Sequence, residues 1–187
     1  AYLSLNSHVI TDALALSAIR MITGNLEKFA ANPGDVEAAG QMLLASCLAG
    51  LSFANAGLGL VHGIAHSVGA YFHTRHGLTC ALYLPVVMEF NIPACPDKFV
   101  SMADALGVDV RGLSSEEAAT EAVSAVREIF AKVGIPKTFS EMGIEFKLHP
   151  KMVEDTGAAP VTKGNPRKAE PEQIAALLRT VQGPVTK

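Results

Sequence analysis

Apolar residues in this chain return every three or four positions, and no stretch alternates apolar and polar over a strand's length. Across residues 7–31 they fall at Val9, Ile10, Leu14, Leu16, Ile19, Ile22, Leu26 and Phe29. That spacing gathers side chains on one helical face. Asn32, Pro33 and Gly34 end the run, and Asp35 suits the N-cap of a second helix reaching Ala56, with Gly57 as its stop. A third helix is predicted over 61–72, followed by a polar break over 73–77. A fourth covers 78–90 and is expected to bend at its interior Pro85. A shorter one follows over 97–106. Ser114 and Ser115, with Glu116 and Glu117 where the helix dipole favours acids, open a sixth that ends near Gly134 and Pro136. Then come a turn over 140–142, a helix after His149-Pro150, a polar loop over 162–171 and a last helix over 171–181, with Pro171 in its first turn. With no strand and no internal repeat, the pattern predicts an all-α fold: one helical bundle domain of seven or eight helices over residues 1–187.

A chain of 187 residues is long enough for one sizeable core. Hydrophobic residues make up 49% and charged residues 18%, and the mean hydropathy is +0.29. Either the core is large or one face normally covers something else. The net charge of −3, without clustered lysines or arginines, gives no electrostatic support for binding nucleic acid or an anionic membrane. No uninterrupted apolar run reaches the roughly 18 residues of a membrane span, and no secretory signal is expected. Cys47, Cys80 and Cys95 are odd in number and form no CxxC pair. That usage points to the reducing cytoplasm.

Residues 57–77, GLGLVHGIAHSVGAYFHTRHG, contain four of the six histidines. His62 and His66 are four apart and share one helical face, where two neutral imidazoles can bind a divalent ion. His76 is expected in a loop that folds back toward that face, while Gly63 and Gly69 leave room beside the helix for a ligand or another backbone. The competing reading is packing, with each imidazole bonded to a nearby carbonyl. Gly63, which stands where the HExxH protease motif needs its Glu, excludes that motif, and the glycine spacing is wrong for a dinucleotide fingerprint. His73 reads as incidental, His8 and His149 as surface or cap residues, Met88 and Met102 as core, and Cys80 as a buried inert thiol.

The same stretch, continuing into LTCALYLPVVMEFN, resembles the signature of the iron-containing, NAD-dependent alcohol dehydrogenases. Within that family it is most similar to the branch of 1,3-propanediol dehydrogenases and lactaldehyde reductases. TDALALSAIRMI and GNPRKAEPEQIAALL resemble further family segments, in the same order. The resemblance implies an oxidoreductase, with His62 and His76 as metal ligands. It makes His66 a catalytic proton-relay residue beside the nicotinamide, and places Phe53 of LSFANAGLG near the substrate. The implied reaction is reversible hydride transfer between a primary alcohol and NAD or NADP, with a divalent metal as Lewis acid. Iron is expected, and zinc or manganese would also serve.

Several departures accompany the resemblance. The family's remaining ligands, an Asp and a first His, are expected on a helix preceding Ala1, and its N-terminal NAD-binding half is expected to be absent. The isolated chain is then expected to be an inactive fragment, whose partners are that half, the alcohol or aldehyde, and further copies of itself in a homo-oligomer. Val86 stands where many relatives carry a histidine after Leu-Pro. Two other readings remain open: a metal-binding module without catalysis, and a helical interaction domain with structural histidines.

Overall fold

A computed structural model describes residues 1–184. Eight α-helices follow one another: α1 (Val9–Ala31), α2 (Val36–Ala56), α3 (Leu60–Phe72), α4 (His76–Asn91), α5 (Pro96–Ala105), α6 (Ser115–Lys132), α7 (Pro150–Ala158) and α8 (Pro171–Thr180). Short 3-10 turns at Ile92–Ala94, Ser140–Met142 and Pro160–Gly164 join them, and no strand occurs among the described residues. The all-α expectation holds.

Local chemistry sets most of the helix ends. The Asp35 side chain accepts from the Ala38 amide at the start of α2, and Gly57, with φ of 74°, ends it. Ser114 and Glu117 form a reciprocal capping box on α6. His149 caps α7, its Nδ1 accepting from the Lys151 amide at 3.2 Å. His8 is the N-cap residue of α1, its amide donating to Thr11 Oγ1 at 2.9 Å.

One boundary departs from the sequence reading. The break after α3 covers only residues 73–75, and His76 is the first residue of α4 instead of a loop residue. His73 ends α3 in the left-handed conformation (φ 51°), the place glycine usually takes. Thr79 then bonds back to the carbonyl of Arg75, the N-cap residue of α4, and to the Thr74 hydroxyl at 2.6 Å. The residues that look like a polar loop are the caps of two consecutive helices.

Two apolar clusters form the core, and α4 supplies both. On one side Tyr83, Val86 and Val87 pack with Ile64 and Val68 of α3, Leu178 of α8 and the aromatic pair Phe139 and Phe146. On the other, Met88 joins Phe99 and Met102 of α5, Val123 of α6 and Tyr2. Burial of this kind contributes about 1.5–3 kcal/mol per large side chain. The second half of α4 is therefore packed from both sides.

The room beside α3 is filled by protein. A Cβ on Gly63 would run into the Thr162 methyl of the Pro160–Gly164 turn. Gly69 meets only a backbone oxygen at ordinary contact distance. The α1–α2 hairpin is less covered: Val9, Ile10, Val36, Leu43, Leu44 and Leu51 are exposed. By length and composition α1, α2 and the segment His76–Ala94 are apolar enough to cross a bilayer. Within α1, however, Asp12 and Arg20 interrupt the apolar run, and both pair with α5, at Lys98 and Asp104.

Candidate metal centre

Histidines at positions 62 and 66 project from α3 one turn apart, and His76 opens α4 beside them. The three rings converge, with centroids 5.4 Å apart for His62 and His76, 5.5 Å for His66 and His76, and 6.4 Å for His62 and His66. His66 and His76 are exposed, and His62 is half-buried. The spacing alone put His62 and His66 together; it is the packing of α3 on α4 that brings His76 to them.

A fourth side chain joins this group. Cys80 lies one turn after His76 on α4, and its Sγ stands 3.6 Å from His76 Nε2. The ligand atoms of His62, His76 and Cys80 all lie within 4.8 Å of one another. The expectation of a buried Cys80 is corrected in its burial: the thiol is half-buried and lies near the two imidazoles. Its spacing from His76 carries the signal, but only once His76 is known to be helical.

The electrostatics suit a cation held by neutral donors. Burial, with smaller contributions from the neighbouring charges of His76, the Ala1 amine and His66, lowers the His62 pKa from 6.5 to about 4. Its imidazole is thus unprotonated and available as a ligand at neutral pH. Burial also pushes the Cys80 thiol up to about 11, so without a cation it stays protonated. The donor set fits a borderline divalent ion such as zinc or ferrous iron.

The same shift makes a prediction for the metal-free chain. The folded state holds His62 at about 4, whereas the unfolded chain releases it to 6.5. Stability associated with the neutral imidazole is complete above pH 6.5 and drains away as pH falls toward 4. The urea midpoint of chelator-treated protein should drop between pH 7 and pH 4.5 by more than that of the His62→Gln variant, because glutamine removes this one titration. Parallel curves for the two proteins would refute the depressed pKa.

A largely apolar cleft of about 540 Å³ opens beside the cluster, lined by Phe53, His62, Gly77, Cys80, Leu84 and Asn91, among others. Phe53, on α2, and His62 therefore share one cavity, while His66 does not line it.

The least foreseeable member of the site is Asn165, which is buried where the cleft meets the start of α3. Its Oδ1 accepts from the Leu60 amide at 3.1 Å and from Asn91 Nδ2 at 3.2 Å. Its Nδ2 donates to Asn91 Oδ1 and to the Arg167 carbonyl, both at 2.7 Å. One side chain thus ties the first turn of α3 to the last turn of α4. A Cβ at position 59 would stand 3.0 Å from Asn165 Oδ1, so glycine there lets the amide reach α3. Arg167 adds a second clasp, donating to the Phe90 carbonyl at 2.8 Å and covering the Phe90 ring at 4.2 Å. In the sequence, only the Asn-Pro dipeptide marks this point, and it reads as a turn.

Comparison with known proteins gives a consistent answer. Residues 1–182 match the family model described as Fe-containing alcohol dehydrogenase family, C-terminal. The chain is 37% identical over 179 residues to the 1,3-propanediol dehydrogenase of Klebsiella pneumoniae, covering 96% of itself and 46% of that protein. It is 39% identical to the lactaldehyde reductase of Escherichia coli K12, with the same coverage. Among solved structures, a 1,3-propanediol oxidoreductase superposes with a TM-score of 0.93 at 36% identity, over 96% of this chain and 47% of that one. The alcohol dehydrogenase of Oenococcus oeni gives 0.90 at 33% identity, over 96% of this chain and 47% of its own. The chain spans about half the length of the curated relatives it matches. Its all-α architecture is thus that of the C-terminal domain of the Fe-containing alcohol dehydrogenases, the family to which this chain belongs.

Proposed function

We propose that His62 and His76 hold a divalent metal, and that this chain is the metal-bearing part of an enzyme moving hydride reversibly between a primary alcohol and NAD or NADP. The observation that carries the reading is the meeting of His62, His66 and His76, with His62 in the wall of an apolar cleft. Relatives named 1,3-propanediol dehydrogenase, lactaldehyde reductase and NAD-dependent methanol dehydrogenase support the substrate class. A bound divalent ion would supply Lewis acidity, favouring loss of the alcohol's proton.

The chain's own residues then divide the remaining work. His62 offers an unprotonated ring from the cleft wall. His76 offers a second ring from the first turn of α4. His66, exposed and 5.5 Å from His76 ring to ring, is placed to pass a proton between the site and water. Phe53 and Leu84 provide apolar wall suited to a short aliphatic chain and exclude water from it. Binding and orienting the nicotinamide belongs, in this proposal, to the part of the relatives that this chain does not cover. The exposed apolar face of α1 and α2 suits burial against protein, either that part or another copy of the chain. Three free cysteines accord with a cytoplasmic location.

The test joins this chain to the uncovered N-terminal portion of the Klebsiella 1,3-propanediol dehydrogenase and assays nicotinamide reduction with primary alcohols. Metal-loaded hybrid should reduce NAD or NADP, lose that activity to a chelator and regain it with divalent metal, while the chain alone gives none. A folded hybrid that binds metal without turnover would favour a metal-binding module without catalysis. A hybrid that binds no metal would favour a helical interaction domain.

A further inference from the structure

We propose that Lys98 is a positioning residue for the cleft: its ammonium fixes residues 1–7 as the wall that shares the cleft with His62, a role that rests on the functional reading above. That segment has no helix or strand of its own, so no ladder of bonds sets its place. Two tethers do. At its middle the Ser4 hydroxyl donates to the Ala56 carbonyl at 2.6 Å, and the Leu5 amide donates to the Gly164 carbonyl at 2.9 Å. The other tether is Lys98, near the start of α5. Its Nζ donates to the Tyr2 carbonyl at 2.7 Å, to the Ser7 hydroxyl and to the Asp12 carboxylate at 3.0 Å. It also stands 4.8 Å from the centre of the Tyr2 ring. An ammonium has three protons to donate, and all three are taken here.

This ion pair differs from the rest. The Lys98 and Asp12 side chains are 32% and 25% exposed, whereas every partner in the other ion pairs among the described residues is at least 42% exposed. Water screens the covered pair less, so it holds more firmly than a surface pair does. Asp12 lies in the first turn of α1, where the helix dipole also favours its charge. The clamp thus joins α5, the start of α1 and the segment between them. Its link to function is the wall. Ala1, Tyr2, Leu3 and Ser4 line the cleft together with His62 and Phe53, while Lys98 itself does not line it. Lys98 therefore acts on whatever the cleft binds only through the segment it holds. Residues joined ahead of Ala1, as in the hybrid, enter at the same wall and take their direction from it.

Lys98→Met keeps the apolar stem and removes all three donors. Hydrogen exchange of the full chain, read by mass spectrometry of its peptides, reports on the wall, at a temperature where circular dichroism shows the variant still helical. Exchange over residues 1–8 is expected to speed up by roughly tenfold or more, while α8 exchanges as before. In the hybrid with the Klebsiella N-terminal portion, KM for 1,3-propanediol should rise by on the order of tenfold, with a smaller change in kcat. Arg127→Met removes the exposed pair with Glu89 and should move neither quantity. If Lys98→Met does not fold, Ser7→Ala removes one of the three acceptors and should shift both quantities the same way by less. Unchanged exchange over residues 1–8 would overturn the clamp. Faster exchange with unchanged kinetics would leave Lys98 merely structural and overturn the positioning role. A parent hybrid without turnover would sink the proposed function, and this role with it, whatever the exchange shows.

Discussion

His62→Ala is expected to weaken divalent-metal binding by on the order of 10²–10³-fold, if the roughly 10–16 kcal/mol of a four-ligand zinc site is shared about evenly among its ligands. Calorimetric titration of the chelator-treated chain with Zn2+ measures this directly. The metal-dependent rise in melting temperature should disappear in parallel, because only an ion bound to the folded state stabilises it. The metal-free variant should melt close to the metal-free parent, since His62 lines an open cleft and is only half-buried. His76→Ala should act similarly, and the double variant should lose less than the two single losses combined, because a site already broken has little more to lose. The contrast with a structural histidine is direct. If His62 served only packing, alanine would lower the melting temperature of the metal-free chain and leave zinc affinity where it was.

The second large effect is predicted at an uncharged residue, Asn165. Asn165→Ala strips the Leu60 amide, the Asn91 side chain and the Arg167 carbonyl of their shared partner in one step. A buried polar group left unpaired costs about 1–3 kcal/mol. Some of that loss is recovered where water enters the vacated volume. A net loss of about 3 kcal/mol is expected, lowering the melting temperature by roughly 6–12 °C for a domain of this size. Asn165→Asp retains the oxygen that accepts from Leu60 but loses both Nδ2 donations, so it should fall between parent and alanine. Zinc affinity should drop in the alanine variant as well, because the residue next to Leu60 but one is His62. Unchanged stability in Asn165→Ala would mean that the helix ends are held by packing alone.

The difference between these two residues shows how much the sequence disclosed. His62 stands out because a titratable side chain recurs at helical spacing inside an apolar run, a pattern visible in one dimension. Asn165 does not, since its partner Leu60 is 105 positions away and an asparagine before proline is ordinary turn chemistry. Cys80 falls between them. Its four-residue spacing from His76 is plain in the sequence, yet it means something only if both residues lie on one helix. The polar run over 73–77 made that look wrong, since His, Thr and Arg before a glycine resemble a loop. His73 adopts the left-handed conformation and Thr79 bonds back to the Arg75 carbonyl, so the loop shrinks to three residues and α4 starts at His76.

Sequence by itself determined the helices, most of their caps, the absence of sheet and the family, because each rests on interactions within a few residues or on contiguous motifs. It also determined which imidazoles share the face of α3. Only the tertiary structure decided that the first turn of α4 docks against that face, that Cys80 completes a trio with His62 and His76, and that Asn165 clamps both helices beside an apolar cleft. The physical reason is range. A helix forms from bonds four residues apart and leaves its signature in the local pattern. A site depends on which faces of different helices bury one another, and that is settled by the fit of the whole core around α4.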